Sequence, residues 1–207
     1  MELEATLKTI LAETRIVAIL RGVEPTEVVD IASALYDAGI RIVEVPLNSP
    51  EPFKSIEAIA KAFSGRLIVG AGTVLDPDDV NAVRGAGGTL IVSPNMNPWV
   101  IERTKTLGLV SAPGVATPSE AFTGISAGAD VLKAFPAEML PPKIVKAWRA
   151  VLPPEVPVVA VGGITPETMA AYLEAGAAGF GIGSSLYKPG RSAEDVSKAA
   201  EAFIAAL

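Results

Sequence analysis

Lys133 lies in the apolar run Val131-Leu132-Lys133-Ala134-Phe135-Pro136, where an ammonium group would be stripped of water. A run this short, bounded by Asp130 and Pro136, reads as a buried strand. Burial disfavours the charged form of an amine and lowers its pKa, leaving a free nucleophile near neutral pH. Such an amine is what Schiff-base formation with a carbonyl compound requires. A lysine that packs its stem while its head reaches water, or one that pairs with an acid, explains the same run.

The chain contains no histidine and no cysteine. Ser-His-Asp and Cys-His machinery, thiol redox chemistry and any His- or Cys-ligated metal are therefore outside its means. An all-oxygen Mg²⁺ or Ca²⁺ site stays open, although no Asp/Glu-rich loop resembles one, and no metal is expected. Proton transfers must run through Glu, Asp, Lys, Tyr or water. No cofactor is expected either: Gly70-Ala71-Gly72-Thr73 lacks the third glycine of a dinucleotide turn, and no Walker loop occurs.

What could position Lys133 is visible in the periodicity. Eight short apolar runs recur along the chain: Ile16–Leu20, Ile42–Val45, Leu67–Ala71, Leu90–Ser93, Leu109–Ala112, Val131–Phe135, Val158–Val161 and Gly179–Gly183. Helix-like segments separate them, among them Pro25–Ala38, Pro98–Leu107, Pro141–Val151 and Pro166–Ala175. Several open at a proline and close at a glycine, as at Gly39 and Gly176. Strands alternating with helices imply parallel βαβ units, and eight of them predict a (β/α)8 TIM barrel. Leu3–Thr14 reads as an extra N-terminal helix that plugs the barrel floor. No linker or second composition appears, so residues 1–207 read as one domain.

In a TIM barrel, chemistry gathers at the C-terminal ends of the strands. By strand parity Lys133 shares a face with Val131 and Phe135, and Glu44 lies near the end of the second run. A carboxylate in such a mouth has its pKa raised toward the range of a general acid or base; a salt bridge to Lys133 or Arg21 accounts for Glu44 as well. Arg21 follows the first run and offers a fixed cation for a carboxylate or phosphate, although a capping or surface arginine reads the same way. Thr73 follows the third run, free to hydrogen-bond a substrate carboxylate or to tie its own loop. Two glycine-rich turns, Val161-Gly162-Gly163-Ile164 and Gly181-Ile182-Gly183-Ser184-Ser185, follow the seventh and eighth runs. That is where bared backbone N–H groups form the recurring phosphate site of this fold, although the glycines would also be needed for tight turns alone.

The net charge is −6 with a sequence pI of about 4.8 and no basic stripe, which argues against nucleic acid or an anionic membrane as partner. The acidic start, Met1-Glu2-Leu3-Glu4, is unlike a secretory or transit signal. No apolar stretch reaches the ~18 residues of a bilayer span. A cytoplasmic, soluble protein is expected.

Together, Glu44-Val45-Pro46-Leu47-Asn48-Ser49-Pro50, Gly70-Ala71-Gly72-Thr73-Val74, Ile91-Val92-Ser93-Pro94-Asn95, Leu132-Lys133-Ala134-Phe135-Pro136 and Val161-Gly162-Gly163-Ile164 resemble the KDPG/KHG aldolases, over nearly the whole chain. The resemblance implies a metal-free, homotrimeric, pyruvate-dependent class I aldolase. In it Lys133 forms the Schiff base, Glu44 transfers protons, and Arg21 and Thr73 contact substrate. Gly162, Gly163, Gly183 and Ser184 would hold the phosphate. Where the family's gluconate-type branch commonly has an arginine and a threonine, this chain has Asn48 and Val161. Both resemble the phosphogalactonate branch, which implies cleavage of 2-dehydro-3-deoxy-6-phosphogalactonate to pyruvate and D-glyceraldehyde 3-phosphate, with Val161 facing the substrate. The gluconate epimer is the alternative substrate. A phosphate-binding barrel isomerase or synthase would share the glycine turns without needing Lys133. A sugar-phosphate-binding barrel without activity would need neither Lys133 nor Glu44.

Overall fold

The computed structural model describes residues 2–207; Met1, the first residue of the acidic start, lies outside them. After helix α1 (Glu2–Thr14) the chain alternates strand and helix. The strands are β1 (Ile16–Ile19), β2 (Ile42–Pro46), β3 (Ile68–Gly72), β4 (Leu90–Val92), β5 (Val110–Ala112), β6 (Gly114–Val115), β7 (Leu132–Ala134), β8 (Val158–Val161) and β9 (Gly179–Ile182). The helices are α2 (Val28–Asp37), α3 (Pro52–Ala62), α4 (Pro77–Gly85), α5 (Pro98–Thr106), α6 (Pro118–Ser126), α7 (Pro142–Arg149), α8 (Pro166–Glu174) and α9 (Ala193–Ala205). All strand pairs are parallel, in the order β5-β4-β3-β2-β1-β9-β8-β7-β6.

The expected barrel is present, with two corrections. Among the described residues nine strands stand where eight runs predict eight, because the chain goes on past the fifth run, is interrupted at Pro113 and resumes as β6. Proline has no N–H to give the ladder, so the stave is interrupted there. Its carbonyl still serves: Lys133 N–H donates to Pro113 O at 2.9 Å, and Ser93 N–H donates to Ala112 O at 3.2 Å. β5 and β6 are thus two halves of one stave, and the ring is joined through that proline. The second element also differs, since α2 begins at Val28 and not at Pro25. Glu27 and Val28 first bond back to Glu24 O, and the Glu27 side chain makes no cap.

Local signals explain the other helix starts. Asp76, Asn97 and Ser192 accept hydrogen bonds from Asp78 N–H, Trp99 N–H and Asp195 N–H, capping α4, α5 and α9. Thr117 and Glu120 form a reciprocal capping box on α6. Proline occupies the first helical position of α4, α5 and α6, where its missing N–H costs nothing.

The apolar side chains divide between two cores. The larger lies between the ring and its helices, with Ile31, Leu35, Ile56, Val145 and Phe180 fully or nearly fully buried. The smaller fills the ring's interior with Ile19, Ile42, Leu90, Val92, Val131, Val159 and Val161. Leu7 and Leu11 of α1 belong to this inner core, each 2% exposed, so α1 closes the floor as expected. Burying two leucines contributes about 1.5–3 kcal/mol each, enough to hold a short helix that forms no ladder. Among the described residues no helix is long and apolar enough to cross a membrane.

Near the seam, Asp130 is buried and accepts hydrogen bonds from Lys105 Nζ at 2.6 Å and from Ser111 N–H at 2.9 Å. It ties α5 and β5 to the residue that leads into β7. Asp130→Ala would take this acceptor from the buried Ser111 N–H and leave the half-buried Lys105 ammonium with Leu109 O, at 3.2 Å, as its remaining acceptor among the described residues. We expect a loss of about 1–3 kcal/mol of unfolding free energy, read from urea melts; an unchanged midpoint would show that the seam does not depend on this carboxylate.

Candidate active site

β7 carries Lys133 into the barrel in register with Gly114 of β6 and Val159 of β8. β2 carries Glu44 inward in register with Ile19 and Gly70. Lys133 is 7% exposed and Glu44 1%. Both face an inner cavity of about 30 Å³ whose other walls are almost wholly apolar, including Leu7, Leu11, Val92, Val131, Val159 and Val161.

Removal from water dominates the electrostatics. Burial pushes the Glu44 carboxyl above the ordinary glutamate range, and the nearby cations of Lys133 and Arg21 only partly oppose it. Burial pushes the Lys133 amine below the ordinary lysine range; Glu44 opposes this and Arg21 adds to it. Glu44 Oε2 is buried without a hydrogen-bond partner, which further disfavours its ionised form. The Lys133 Nζ also sits 4.8 Å from the centroid of the Phe135 ring, a contact that favours the ammonium form and works against burial.

Glycines make room for this arrangement. A Cβ on Gly72 would lie 2.6 Å from Glu44 Oε2, so the carboxylate occupies space that only glycine leaves free on β3. A Cβ on Gly181 would lie 2.7 Å from Val161 Cγ2, which allows Val161 to lean across β9.

Above the inner cavity opens a cleft of about 690 Å³, within the size range of small-molecule sites. Of the residues singled out in the sequence, Arg21, Thr73, Lys133, Val161, Gly162, Gly163, Gly183 and Ser184 all line it. Glu44 lies one layer deeper, facing the inner cavity that Lys133 and Val161 also reach.

The loops after β1, β2 and β3 meet at Arg21. Its Nη1 donates to Asn48 Oδ1, and both terminal nitrogens reach Thr73 Oγ1 at 3.4 Å. Thr73 adopts φ +57°, a left-handed conformation that is costly for a β-branched residue and typical of a side chain held for a purpose. On the opposite rim Gly162 (φ +111°) and Gly163 (φ +61°) turn the chain after β8. The Gly183–Tyr187 turn after β9 is closed by Leu186 and Tyr187 N–H bonds to Gly183 O. Arg191 Nη1 fastens it from behind through Ser185 O and Leu186 O, each at 2.8 Å. Among the described residues no group of three or more His, Cys, Asp or Glu is placed to hold a metal ion.

Sequence reasoning missed several participants. In the sequence Gly72 belongs to an incomplete dinucleotide motif and to a family-like motif, and neither shows its role, which is to be empty where Glu44 lies. Asn48 was noted as a departure from a family pattern, but its contact with Arg21 spans two loops and leaves no local signal. Ser185, Tyr187, Lys188 and Glu138 also line the cleft. Only Ser185 had a hint, as a neighbour of the second glycine turn.

The chain is similar to known proteins over nearly its whole length. Residues 7–201 match the family model described as KDPG and KHG aldolase. The chain is 47% identical over 191 residues to 2-dehydro-3-deoxy-6-phosphogalactonate aldolase of Escherichia coli (strain K12), covering 92% of this chain and 93% of that protein. It is 47% identical over 194 residues to a probable 2-dehydro-3-deoxy-6-phosphogalactonate aldolase of Rhizobium meliloti (strain 1021), covering 94% and 92%. A solved structure, "Native KDPGal structure", superimposes with a TM-score of 0.91 at 46% identity, over 92% of this chain and 93% of that one.

The lowered pKa of Lys133 makes a prediction of definite sign. An amine is unreactive below its pKa, so Lys133 should stay nucleophilic at pH values where ordinary lysines are protonated. Reductive methylation near neutral pH, followed by peptide mass spectrometry, should modify Lys133 ahead of exposed lysines such as Lys61. Equal rates at all lysines, falling together as the pH drops, would mean that burial does not lower this amine's pKa.

Proposed function

The chain belongs to the KDPG and KHG aldolase family, and from that premise we propose that it cleaves 2-dehydro-3-deoxy-6-phosphogalactonate to pyruvate and D-glyceraldehyde 3-phosphate, with Lys133 as the Schiff-base residue. The observation that carries this reading is the shared burial of Lys133 and Glu44 in one apolar interior beneath a cleft rimmed by glycine turns.

The free amine of Lys133 attacks the C2 ketone, and loss of water from the carbinolamine gives a protonated imine. Glu44 accepts the C4 hydroxyl proton as the C3–C4 bond breaks, and the bonding pair passes into the imine to form an enamine. D-Glyceraldehyde 3-phosphate leaves. Protonation at C3 and hydrolysis of the imine then release pyruvate and restore the amine. Arg21, held by Asn48 and Thr73, orients the keto-acid carboxylate. The backbone of Gly162, Gly163, Gly183 and Ser184 holds the phosphate. Anchoring both ends keeps the reacting bond over the lysine.

As part of the same proposal, the chain works in the cytoplasm as a homotrimer of one-domain barrels. It acts on a sugar-acid phosphate and pyruvate, without cofactor or metal. The net charge of −6 supports small-molecule substrates over nucleic acid or an anionic membrane.

Incubation with pyruvate and borohydride should add one reduced adduct per chain at Lys133. The trapping rate should decline only as the pH falls through the lowered pKa of that amine. An adduct on another lysine, or no adduct under turnover conditions, would remove the class I assignment.

Val161 supports the choice of epimer, since it presents methyl groups where a hydroxyl could read the C4 configuration. Threonine has nearly the same shape and fits the same gap above Gly181. Both epimeric 6-phosphates should be cleaved, the galactonate form with the higher kcat/KM. Val161→Thr should move the kcat/KM ratio toward the gluconate epimer by about 1–3 kcal/mol. A wild type that strongly prefers gluconate, or a ratio unmoved by the substitution, would reject the epimer while leaving the aldolase.

A further inference from the structure

One carboxylate lies against the turn proposed to hold the phosphate. Glu138 belongs to the 3₁₀ turn Ala137–Met139 that follows β7, and it lines the same cleft as the two glycine turns. Its side chain lies against the Gly162–Gly163 turn. A Cβ on Gly162 would meet Glu138 Oε2 at 2.4 Å, and a Cβ on Gly163 would meet Cγ at 2.8 Å and Oε1 at 3.1 Å. Both carboxylate oxygens therefore approach the backbone whose bared face is the candidate phosphate cradle.

Among the described residues the Glu138 side chain forms no ion pair and no hydrogen bond that would hold it there. Its turn is held from below by other groups: Met139 N–H donates to Pro136 O, and the buried Tyr172 hydroxyl donates to Ala137 O at 3.0 Å. The negative charge is felt locally, since it helps to push the Tyr172 hydroxyl above its ordinary range, after burial. The Ala137–Met139 turn is thus anchored by its backbone, while Glu138 itself is exposed.

We infer that Glu138 is a specificity-determining residue that competes with the substrate's phosphate for the Gly162–Gly163 turn. The inference rests on the phosphate placement proposed above. Two anions cannot share the turn without repulsion, so Glu138 turns outward when a phosphate arrives and returns when it leaves. The carboxylate weakens binding at the phosphate end alone and leaves the chemistry at Lys133 untouched. It thereby keeps a phosphorylated product from being held tightly after the C3–C4 bond has broken.

The test uses inorganic phosphate as a competitive inhibitor of cleavage of the 6-phosphogalactonate substrate, for the full-length wild type and for Glu138→Gln. Pyruvate–borohydride trapping at Lys133, measured on both proteins, reports whether the barrel and its amine are intact and should be unchanged. We expect phosphate to inhibit Glu138→Gln about three- to tenfold more tightly at low salt, with the difference shrinking as KCl is raised. KM for the substrate should fall in parallel while trapping by pyruvate stays the same. Equal inhibition constants for the two proteins, or a difference that KCl does not diminish, would overturn the competition. Weaker inhibition of Glu138→Gln would overturn it too, by making the side chain a support of the cradle. If phosphate inhibits neither protein, the phosphate placement itself falls, and the role of Glu138 with it.

Discussion

An amine and a carboxyl group buried in one apolar interior each resist their charged form, and the rest of this barrel follows from that. Lys133 with a lowered pKa makes the folded chain bind fewer protons than the unfolded chain between the lowered value and the ordinary lysine value. Stability therefore falls as the pH drops through that window. Glu44 with a raised pKa has the opposite slope: the folded chain binds more protons between the ordinary and the raised value, and stability falls as the pH rises through it. Near neutrality both groups subtract from stability. Inner-core packing offsets them, with Leu7 and Leu11 from the floor and Val131, Val159 and Val161 from the walls. The residues that keep water out are the same ones that make the amine reactive.

The site is layered by depth. At the bottom, Glu44 and Lys133 face walls with almost no polar surface. At the mouth, Arg21, Asn48 and Thr73 form a polar cluster on one side, and the glycine turns bare their backbone on the other. Polar recognition is thereby kept away from the groups whose chemistry depends on dryness. Val161 stands between the layers, since it borders both the inner cavity and the cleft.

Much of this was legible in the residues alone. A charge inside a short apolar run has few physical explanations, and strand parity carried Lys133 and Glu44 to the inside, where the structure has them. The glycine turns could be placed because they follow the seventh and eighth runs, and at Gly162 and Gly163 the chain takes the positive φ that favours glycine. Long-range exclusion was not legible. Gly72 matters for what it lacks, seen from a side chain on another strand, and Asn48 meets Arg21 only after two loops converge. Pro113 was visible, but its effect was not: the ladder skips its nitrogen and continues from its carbonyl, dividing one stave in two. Pro25 suggests a helix start, but a turn back to Glu24 O delays α2 to Val28. Signals carried within a few residues could be read; those made by chain segments meeting in space could not.

The joint at Pro113 also bears on how the protein behaves in a crowded solution. A parallel sheet that stops short of a circle ends in two rows of unpaired backbone groups, and such borders recruit strands from other molecules. Here the two terminal strands, β5 and β6, are one stave interrupted at a single residue, and neighbours on both sides meet its carbonyls: Ser93 N–H donates to Ala112 O, Asp130 and Val131 N–H to Ser111 O, and Lys133 N–H to Pro113 O. A proline at the joint adds a second safeguard: it offers no donor, so even a transient parting of the ring there exposes a poor template for a stranger's backbone.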